Sequence, residues 1–511
     1  MSGFCLRAVA LLVTAAFAQA VAASSVLSQF YPPPSDALGN TGKAPRGGEA
    51  PEYLWLENGK PNIQARDALK ILAEARSHGL RSQDYWFDEL SVLDESLVRG
   101  TSDFSIEYEG LMTDALLRLF KDLRPLLVQN VEGPEGATGH ILAAIRDVAN
   151  SGELRRFYED LLPRHAQYEA LRYALRELEL RSEEALPLVG RGSTLRVGDD
   201  GERVAALRAR LLGESAADDI QAGFDAELED AVRRYQQLHG LEADGIVGRR
   251  TQQHLDIPLN VRRAQLRLAL ARWRELPAEM GADYVHVNIP EYRLQLYSGG
   301  SPALEMRVVV GSREDPTPAF NDEIEYLVFN PYWHVPRRIA LEELVPQAAE
   351  SPGYLSLNDY EIVRDGELVS EDAVDWAAMN AESFGYRIRQ RPGPRNALGA
   401  VKFLFPNELN IYLHDSPARN LYERPVRAFS HGCIRVEDPV ALASALLARE
   451  GEWDSDRVDG LMAKGVRRQI NLRRPVSVYL TYITAKVTAT GEVAFLSDIY
   501  ERDSRELDRY L

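Results

Sequence analysis

Cysteine is almost absent from this chain: its 511 residues hold two, Cys5 and Cys433. Cys5 falls in a segment that reads as a removable leader, so the mature chain is expected to carry one thiol. One thiol excludes an intramolecular disulfide, so an exported chain of this kind must rely on its apolar core to fold. Positive charge is also in deficit, with 59 Lys and Arg against 77 Asp and Glu and a net charge of −18. Nucleic-acid binders present a basic face, so no nucleic-acid partner is expected. No serine has a lysine three residues later, which removes acyl-enzyme chemistry of the S-x-x-K type. The nine histidines are scattered and none forms H-E-x-x-H, so no catalytic metal is expected, and no cofactor either.

Long apolar runs are missing too. Arg7 is followed by an uncharged stretch, residues 8–17, and then by Ala18-Gln19-Ala20-Val21-Ala22-Ala23. A basic start, a short apolar core and an A-x-A exit form a secretory signal, assigned here to residues 1–23. The core falls short of the about 20 residues that span a bilayer, and no later stretch is apolar enough to do so. The mature chain is expected in the periplasm, without a transmembrane segment.

What is present divides into parts of different texture. Residues 24–190 read as a helical scaffold, with helices at 63–77 (stopped by His78-Gly79), 106–119, 141–161 and 168–186. Residues 191–258 read as three short helices, 202–212, 226–238 and about 249–255, with glycine at the corners. A connector helix, 261–276, lies within residues 259–280. From residue 281 the pattern turns to strands: Val285, Val287 and Ile289 alternate with polar neighbours, and 293–297 and 307–310 flank Gly299-Gly300 as a hairpin. Further strands are expected at 324–329, 401–405 and 409–413. Residues 281–465 form this β-rich domain, interrupted at about 339–390 by an irregular, more helical insertion that reads as a cap. Residues 466–511 add C-terminal strands, 476–486 and 493–495, and a charged tail. The fold class is multidomain α+β.

The chemistry concentrates around the second cysteine. In Tyr412-Leu413-His414-Asp415, a strand would put Tyr412 and His414 on one face. In Ser430-His431-Gly432-Cys433-Ile434-Arg435, Cys433 and Arg435 share a side, and Gly432 lets the backbone bend beside the sulfur. Asp438-Pro439 then starts a helix by N-cap and first-turn logic. A free thiol, with pKa about 8.5, is mostly protonated at neutral pH, and an imidazole that takes its proton makes it a nucleophile. His414 and His431 are both candidates; His414 is favoured as the base and His431 as a supporting group. His286 and His334 read as structural.

Two family resemblances follow from these residues. In 191–258, Gly198, Gly201, Val204, Leu207, Phe224, Asp225, Val232, Tyr235, Gln236, Asp244, Gly245, Val247, Gly248 and Thr251 resemble the three-helix peptidoglycan-binding domain. His414 followed by Ser430-His431-Gly432-Cys433-Ile434-Arg435 resembles the signature of L,D-transpeptidases with a YkuD-type catalytic domain. Val310-Gly311, Pro316-Thr317-Pro318, Pro331-Tyr332-Trp333-His334-Val335-Pro336, Pro392-Gly393-Pro394 and Phe405-Pro406-Asn407 look like the same family, and the order of parts is similar to its large Gram-negative members. That resemblance implies Cys433 as nucleophile and His414 as base, oriented by the carbonyl of Asp415. It also implies oxyanion or supporting roles for Tyr412, His431, Gly432 and Ser430, and substrate contacts for Arg435, Arg395 and Trp333. The implied substrates are meso-diaminopimelate stem peptides on glycan strands, joined 3→3 through a thioester.

Independently of any family, residues 386–403 carry Arg387, Arg389, Arg391, Arg395 and Lys402 without one acid, and 413–435 carry four arginines against two acids. A cationic groove of this kind would attract a peptide rich in carboxylates. A papain-like arrangement is disfavoured because there the cysteine precedes the histidine. Left open are hydrolysis, exchange with a free D-amino acid or attachment of a lipoprotein lysine from the same thioester, and an inert scaffold that only binds the wall.

Overall fold

The computed structural model describes residues 53–101, 104–128, 133–182, 187–213, 223–451 and 453–511. The leader read at 1–23, with Cys5, lies outside them. The chain divides into two compact units, one comprising the described residues up to Leu180 with Trp273–Glu279, the other Arg181–Arg272 with Met280–Leu511.

The first unit is helical: α1 (Ile63–Glu74), α2 (Phe87–Arg99), α3 (Ser105–Leu123), α4 (Gly133–Ser151), α5 (Leu154–Leu161) and α6 (Ala166–Glu179). Asn62 caps α1, its side chain accepting from Ala65 N–H at 2.9 Å. Gly79, at φ 76°, ends the short 3₁₀ turn that follows. The helix expected at 141–161 is broken into α4 and α5, because Gly152 takes the left-handed conformation at φ 79°. Trp55, Ile71, Leu72, Tyr108, Leu116, Phe120 and Tyr158 pack the core. His78 is wholly buried, its two ring nitrogens each 2.8 Å from a tyrosine hydroxyl, Tyr168 and Tyr158.

The second unit begins with three helices, α7 (Glu202–Leu212), α8 (Ala226–Leu238) and α9 (Arg249–Leu255). Asp225 caps α8 through Leu228 N–H, and the buried Gln236 amide bridges Asp244, Ile246 O and Gly245 N–H, which pins the glycine turn before α9. The helix α10 (Leu259–Arg274) follows.

Beyond it the chain builds a nine-stranded sheet. Its strands are β1 (Tyr284–Asn288), β2 (Arg293–Ser298), β3 (Ser301–Gly311), β4 (Phe320–Phe329), β9 (Val401–Leu404), β10 (Leu413–His414), β11 (Ala428–Ser430), β12 (Ile434–Val436) and β13 (Arg468–Thr481), the numbers β5 to β8 belonging to the insertion described below. Their order is β11-β3-β12-β10-β9-β4-β13-β1-β2, and β2 also pairs with β3, so eight strands close on themselves and only β11 hangs outside the ring. Closure removes the exposed edges of an open sheet. The turn at Gly299-Gly300, with φ 58° and 80°, has the left-handed pair that two-residue hairpins require. Apolar residues alternate inward along each strand, among them Val285, Leu294, Val308, Leu327, Phe403, Leu413, Ile434 and Val478, and helix α11 (Pro439–Ala448) adds Leu442 and Leu446. The expected N-cap of α11 is present, Asp438 accepting from Ala441 N–H at 2.9 Å. Strand β13 sits between β4 and β1, so this C-terminal strand is interior to the sheet, whereas Ala485–Val487 and Val493–Phe495 pair with each other in a separate two-stranded sheet.

The insertion contains more strand than its composition suggests. β5 (Trp333–His334), β6 (Tyr360–Arg364), β7 (Glu367–Val369) and β8 (Arg387–Gln390) form a separate sheet in the order β5-β8-β6-β7. Helical turns through 337–350 and 354–357 cover it, and Leu344, Leu355, Ile362, Trp376, Phe384 and Ile388 form its own core. Its chain returns through Asn396, which is wholly buried. The Asn396 amide donates to Pro331 O at 3.0 Å, Arg391 O at 2.9 Å and Gln390 O at 3.3 Å, while its carbonyl accepts from Leu398 N–H. Asn396→Ala strands those buried carbonyls, so it is expected to destabilise this domain by about 2–4 kcal/mol. Urea denaturation followed by tryptophan fluorescence checks this; an unchanged midpoint would remove Asn396 as an anchor of the insertion.

Candidate active site

Two short strands position the chemistry. β10 and β12 run parallel, with Leu413 opposite Ile434 and His414 opposite Arg435. Parallel neighbours cannot be joined by a tight turn and need a crossover of about a dozen residues or more. The residues between His414 and Cys433 are that crossover. It is tied down by Arg419, which donates to Asp415 Oδ1 and to Glu437 O at 2.6 Å each, and by the Tyr422 hydroxyl, which donates to Val436 O at 2.7 Å.

Register then fixes which side chains meet. Leu413 and Ile434 point into the core, so His414 and Arg435 share the outer face, with Tyr412 and Cys433 one step behind them. The Ile434 N–H donates to Tyr412 O at 3.1 Å and holds that alignment. On the other side, β9 places Lys402 opposite His414, and the Lys402 ammonium lies 5.4 Å from the centre of the Tyr412 ring. The Tyr412 and His414 rings are 5.7 Å apart. Residues 409–413 were expected to be strand, but Asn410 is left-handed at φ 55° and only Leu413–His414 pairs. Asparagine tolerates that conformation. The Asn410 carbonyl lies 3.6 Å from the Cys433 sulfur, which donates to it.

Cys433 sits in the bend before β12. Gly432 precedes it at φ 103°, and the Ser430 hydroxyl closes the bend by donating to Cys433 O at 2.5 Å while accepting from Gly432 N–H at 3.2 Å. His414 is buried, and its Nδ1 lies 2.5 Å from Asp415 O. That contact makes Nδ1 the protonated nitrogen and leaves Nε2 as the basic one. The Asp415 carboxylate is occupied elsewhere, accepting from Ala400 and Ser416 N–H and from Arg419. His431 is exposed, and its Nε2 lies 2.6 Å from Glu343 Oε1 of the insertion.

Burial dominates the electrostatics. It lowers His414 to about 3, with Arg435 and Lys402 adding to the fall and the Asp415 carbonyl opposing it. Burial pushes the Cys433 thiol up, against the hydrogen bonding of Tyr412 and the charges of Arg435 and Lys402. Burial also lowers Lys402 and Arg435, and raises Tyr412 well above the usual phenol range. The site therefore holds a neutral thiol and a neutral imidazole on one strand face, beside two desolvated cations.

The basic run did not act as one groove. Arg389 pairs with Glu361, Arg391 with Asp359, and Arg395 donates to Leu357 O and faces Asp359 at 3.7 Å, so these arginines hold the insertion together. Arg395 is thus engaged within the insertion. Trp333 lies in β5, its ring 6.2 Å from Tyr360. Lys402 was legible only as one charge in a run; its place beside His414 follows from strand register, which the sequence alone did not supply. Among the described residues, no group of three or more His, Cys, Asp or Glu could hold a metal, and no helix is long and apolar enough to cross a membrane.

Comparison with known proteins matches three segments of the chain. Residues 282–464 match the family described as YkuD, L,D-transpeptidase catalytic domain; residues 48–175 match a scaffold domain, and 200–255 a "Putative peptidoglycan binding domain". A Haemophilus influenzae protein named "Putative L,D-transpeptidase" is 38% identical over 220 residues, covering 43% of this chain and 44% of that protein. The chain thus spans less than half the length of that curated relative. Solved structures similar in part include an L,D-transpeptidase from Mycobacterium smegmatis, at 10% identity over 39% of this chain and 58% of that one with a TM-score of 0.20. Another is an L,D-transpeptidase from Xylanimonas cellulosilytica, at 16% identity over 57% and 98% with a TM-score of 0.18. The chain carries an L,D-transpeptidase catalytic domain of the YkuD family together with a peptidoglycan-binding domain.

The neutral thiol sets a pH dependence. A group whose pKa is raised ionises only as pH climbs past its ordinary range, and His414 stays neutral throughout. Alkylation of Cys433 by iodoacetamide is expected to keep accelerating beyond about pH 8.5. A plateau already reached below pH 6 would contradict it, since that is the mark of a thiolate–imidazolium pair.

Proposed function

We propose that this protein is a cysteine L,D-transpeptidase that makes 3→3 cross-links between stem peptides of meso-diaminopimelate type. The observation that carries this reading is the register of β10 against β12, with Tyr412, His414, Cys433 and Arg435 on one face and His414 Nδ1 committed to a main-chain carbonyl. The Cys433 sulfur attacks the carbonyl of the L-centre of diaminopimelate in a tetrapeptide stem as its proton passes to His414 Nε2. The C–N bond then breaks, His414 returns the proton to the departing D-alanine amine, and a thioester remains. The side-chain amine of a second diaminopimelate gives a proton to His414 and attacks the thioester. A new amide forms, the C–S bond breaks, and the thiol regains its proton. Tyr412, Gly432, Ser430 and His431 support the loop and the oxyanion.

The two desolvated cations give this mechanism its electrostatic logic. Arg435 and Lys402 depress the basicity of His414 in the empty site. A stem peptide brings carboxylates that neutralise them, so binding of the donor raises the base toward a useful pKa where water has been excluded. The peptidoglycan-binding domain supports delivery of the catalytic domain to glycan strands, and the leader read at 1–23 supports a periplasmic location.

Incubation of the mature chain with disaccharide-tetrapeptide, followed by mass spectrometry, tests the reading. A dimer lacking one D-alanine is expected, and Cys433→Ala abolishes it while the fold is retained. Tripeptide alone would replace cross-linking by hydrolysis. Absence of any product, together with no carbapenem adduct on Cys433 by intact mass, would overturn the enzymatic reading.

A further inference from the structure

We propose that Thr317 and Tyr500 are positioning residues that fix the peptide before the nucleophile, so that the C-terminal segment is a working part of the active site. The proposal rests on Cys433 being the nucleophile. Tyr500 lies beyond residue 464, where the match to the catalytic family ends.

The contacts form one short chain. The Thr317 side chain is wholly buried, and its hydroxyl donates to Gly432 O at 2.7 Å while accepting from Gly311 N–H at 2.8 Å. The Tyr500 hydroxyl donates to Gly311 O at 2.7 Å and accepts from Thr317 N–H at 3.2 Å. Thr317 and Gly311 are therefore held together by Tyr500, and Thr317 alone passes that constraint to Gly432. Gly311 leaves no room for slack: a Cβ there would collide with the Asp315 carbonyl and come within 3.0 Å of the Gly432 Cα.

Tyr500 is itself braced. Its N–H donates to the Tyr482 hydroxyl at 2.8 Å, and Tyr482 donates to Asp498 at 2.6 Å. The two tyrosine rings stack 5.5 Å apart, and the Arg502 guanidinium lies 4.8 Å from the Tyr482 ring and 5.8 Å from the Tyr500 ring. Asp503 beside them pairs with Arg272 at 2.7 Å. Among the described residues the brace reaches the Cys433 loop through Thr317 on Gly432 O, and the neighbouring Ser312 N–H donates to Ser430 O at 2.7 Å.

The consequence is geometric. A trans peptide is planar, so the Gly432 carbonyl and the Cys433 N–H point in opposite directions. Holding the carbonyl on Thr317 aims that N–H away from Thr317. In acyl transfer a main-chain N–H at the nucleophile is a natural donor to the developing oxyanion. Gly432 at φ 103° has no Cβ to restrict its backbone, and Ser430 holds its N–H and the Cys433 carbonyl but not its own carbonyl.

The test uses the full mature chain and three variants, Thr317→Val, Thr317→Ser and Tyr500→Phe. Thr317→Val and Tyr500→Phe are expected to lower kcat on disaccharide-tetrapeptide about tenfold or more with KM within about twofold, because misplacement costs rate rather than binding. Both are expected to speed deuterium exchange across 430–436, and Thr317→Ser, which keeps the hydroxyl, to restore both readouts toward the parent. Unchanged exchange in both variants, a change in KM alone, or serine as impaired as valine would overturn the proposal. If Thr317→Val does not fold, Tyr500→Phe, which keeps its ring in the core, decides. If the parent forms no product, the proposed function fails, while the exchange data still decide whether Thr317 and Tyr500 hold the loop.

Discussion

Everything chemical in this protein depends on the parallel pairing of β10 with β12. A parallel pair cannot be closed by a hairpin, so the chain must leave after His414, cross over and return at Cys433. The in-register return brings residues distant in sequence onto one outward face while Leu413 and Ile434 are buried beneath them. A slip of one residue would send His414 into the core and Leu413 to the site. The core therefore enforces the register, and the register assembles the site. The crossover clamps, Arg419 on Asp415 and Glu437 and Tyr422 on Val436, keep the loop from relaxing that alignment.

The same burial that fixes geometry creates the electrostatic state. Desolvation drives both His414 and Cys433 toward their neutral forms, and the cations Lys402 and Arg435 do not reverse it for the thiol. A neutral thiol is the less reactive resting form, because thiolates are the form that reacts with oxidants and disulfides. In the proposed mechanism, activation then waits for a bound anion. The arginines of the insertion, by contrast, are spent on Glu361 and Asp359 and contribute to its internal order.

Much of this was legible in the sequence because it is local. The N-caps at Asn62, Asp225 and Asp438, the Gly299-Gly300 turn and the helices of the peptidoglycan-binding domain each follow from a few adjacent residues. Cys433 and His414 could be proposed as a pair from the sequence because each sits in a short local motif, Tyr412-Leu413-His414-Asp415 and Ser430-His431-Gly432-Cys433. What was hidden is what depends on contacts between distant segments. Lys402 enters the site through register with β10, the strands of the insertion form only by pairing with each other, and β13 joins the barrel between β4 and β1. Tyr500 reaches Gly311 O at the end of β3 across 189 residues of sequence, which no periodicity could report.

The most direct measurement is to trap the intermediate. Mature protein mixed with disaccharide-tetrapeptide, quenched in acid within the first turnovers and digested, would be mapped by tandem mass spectrometry. The account predicts the disaccharide-tripeptide acyl group as a thioester on Cys433. Product formation with an acyl group on any other residue, or with Cys433 never acylated, would contradict it.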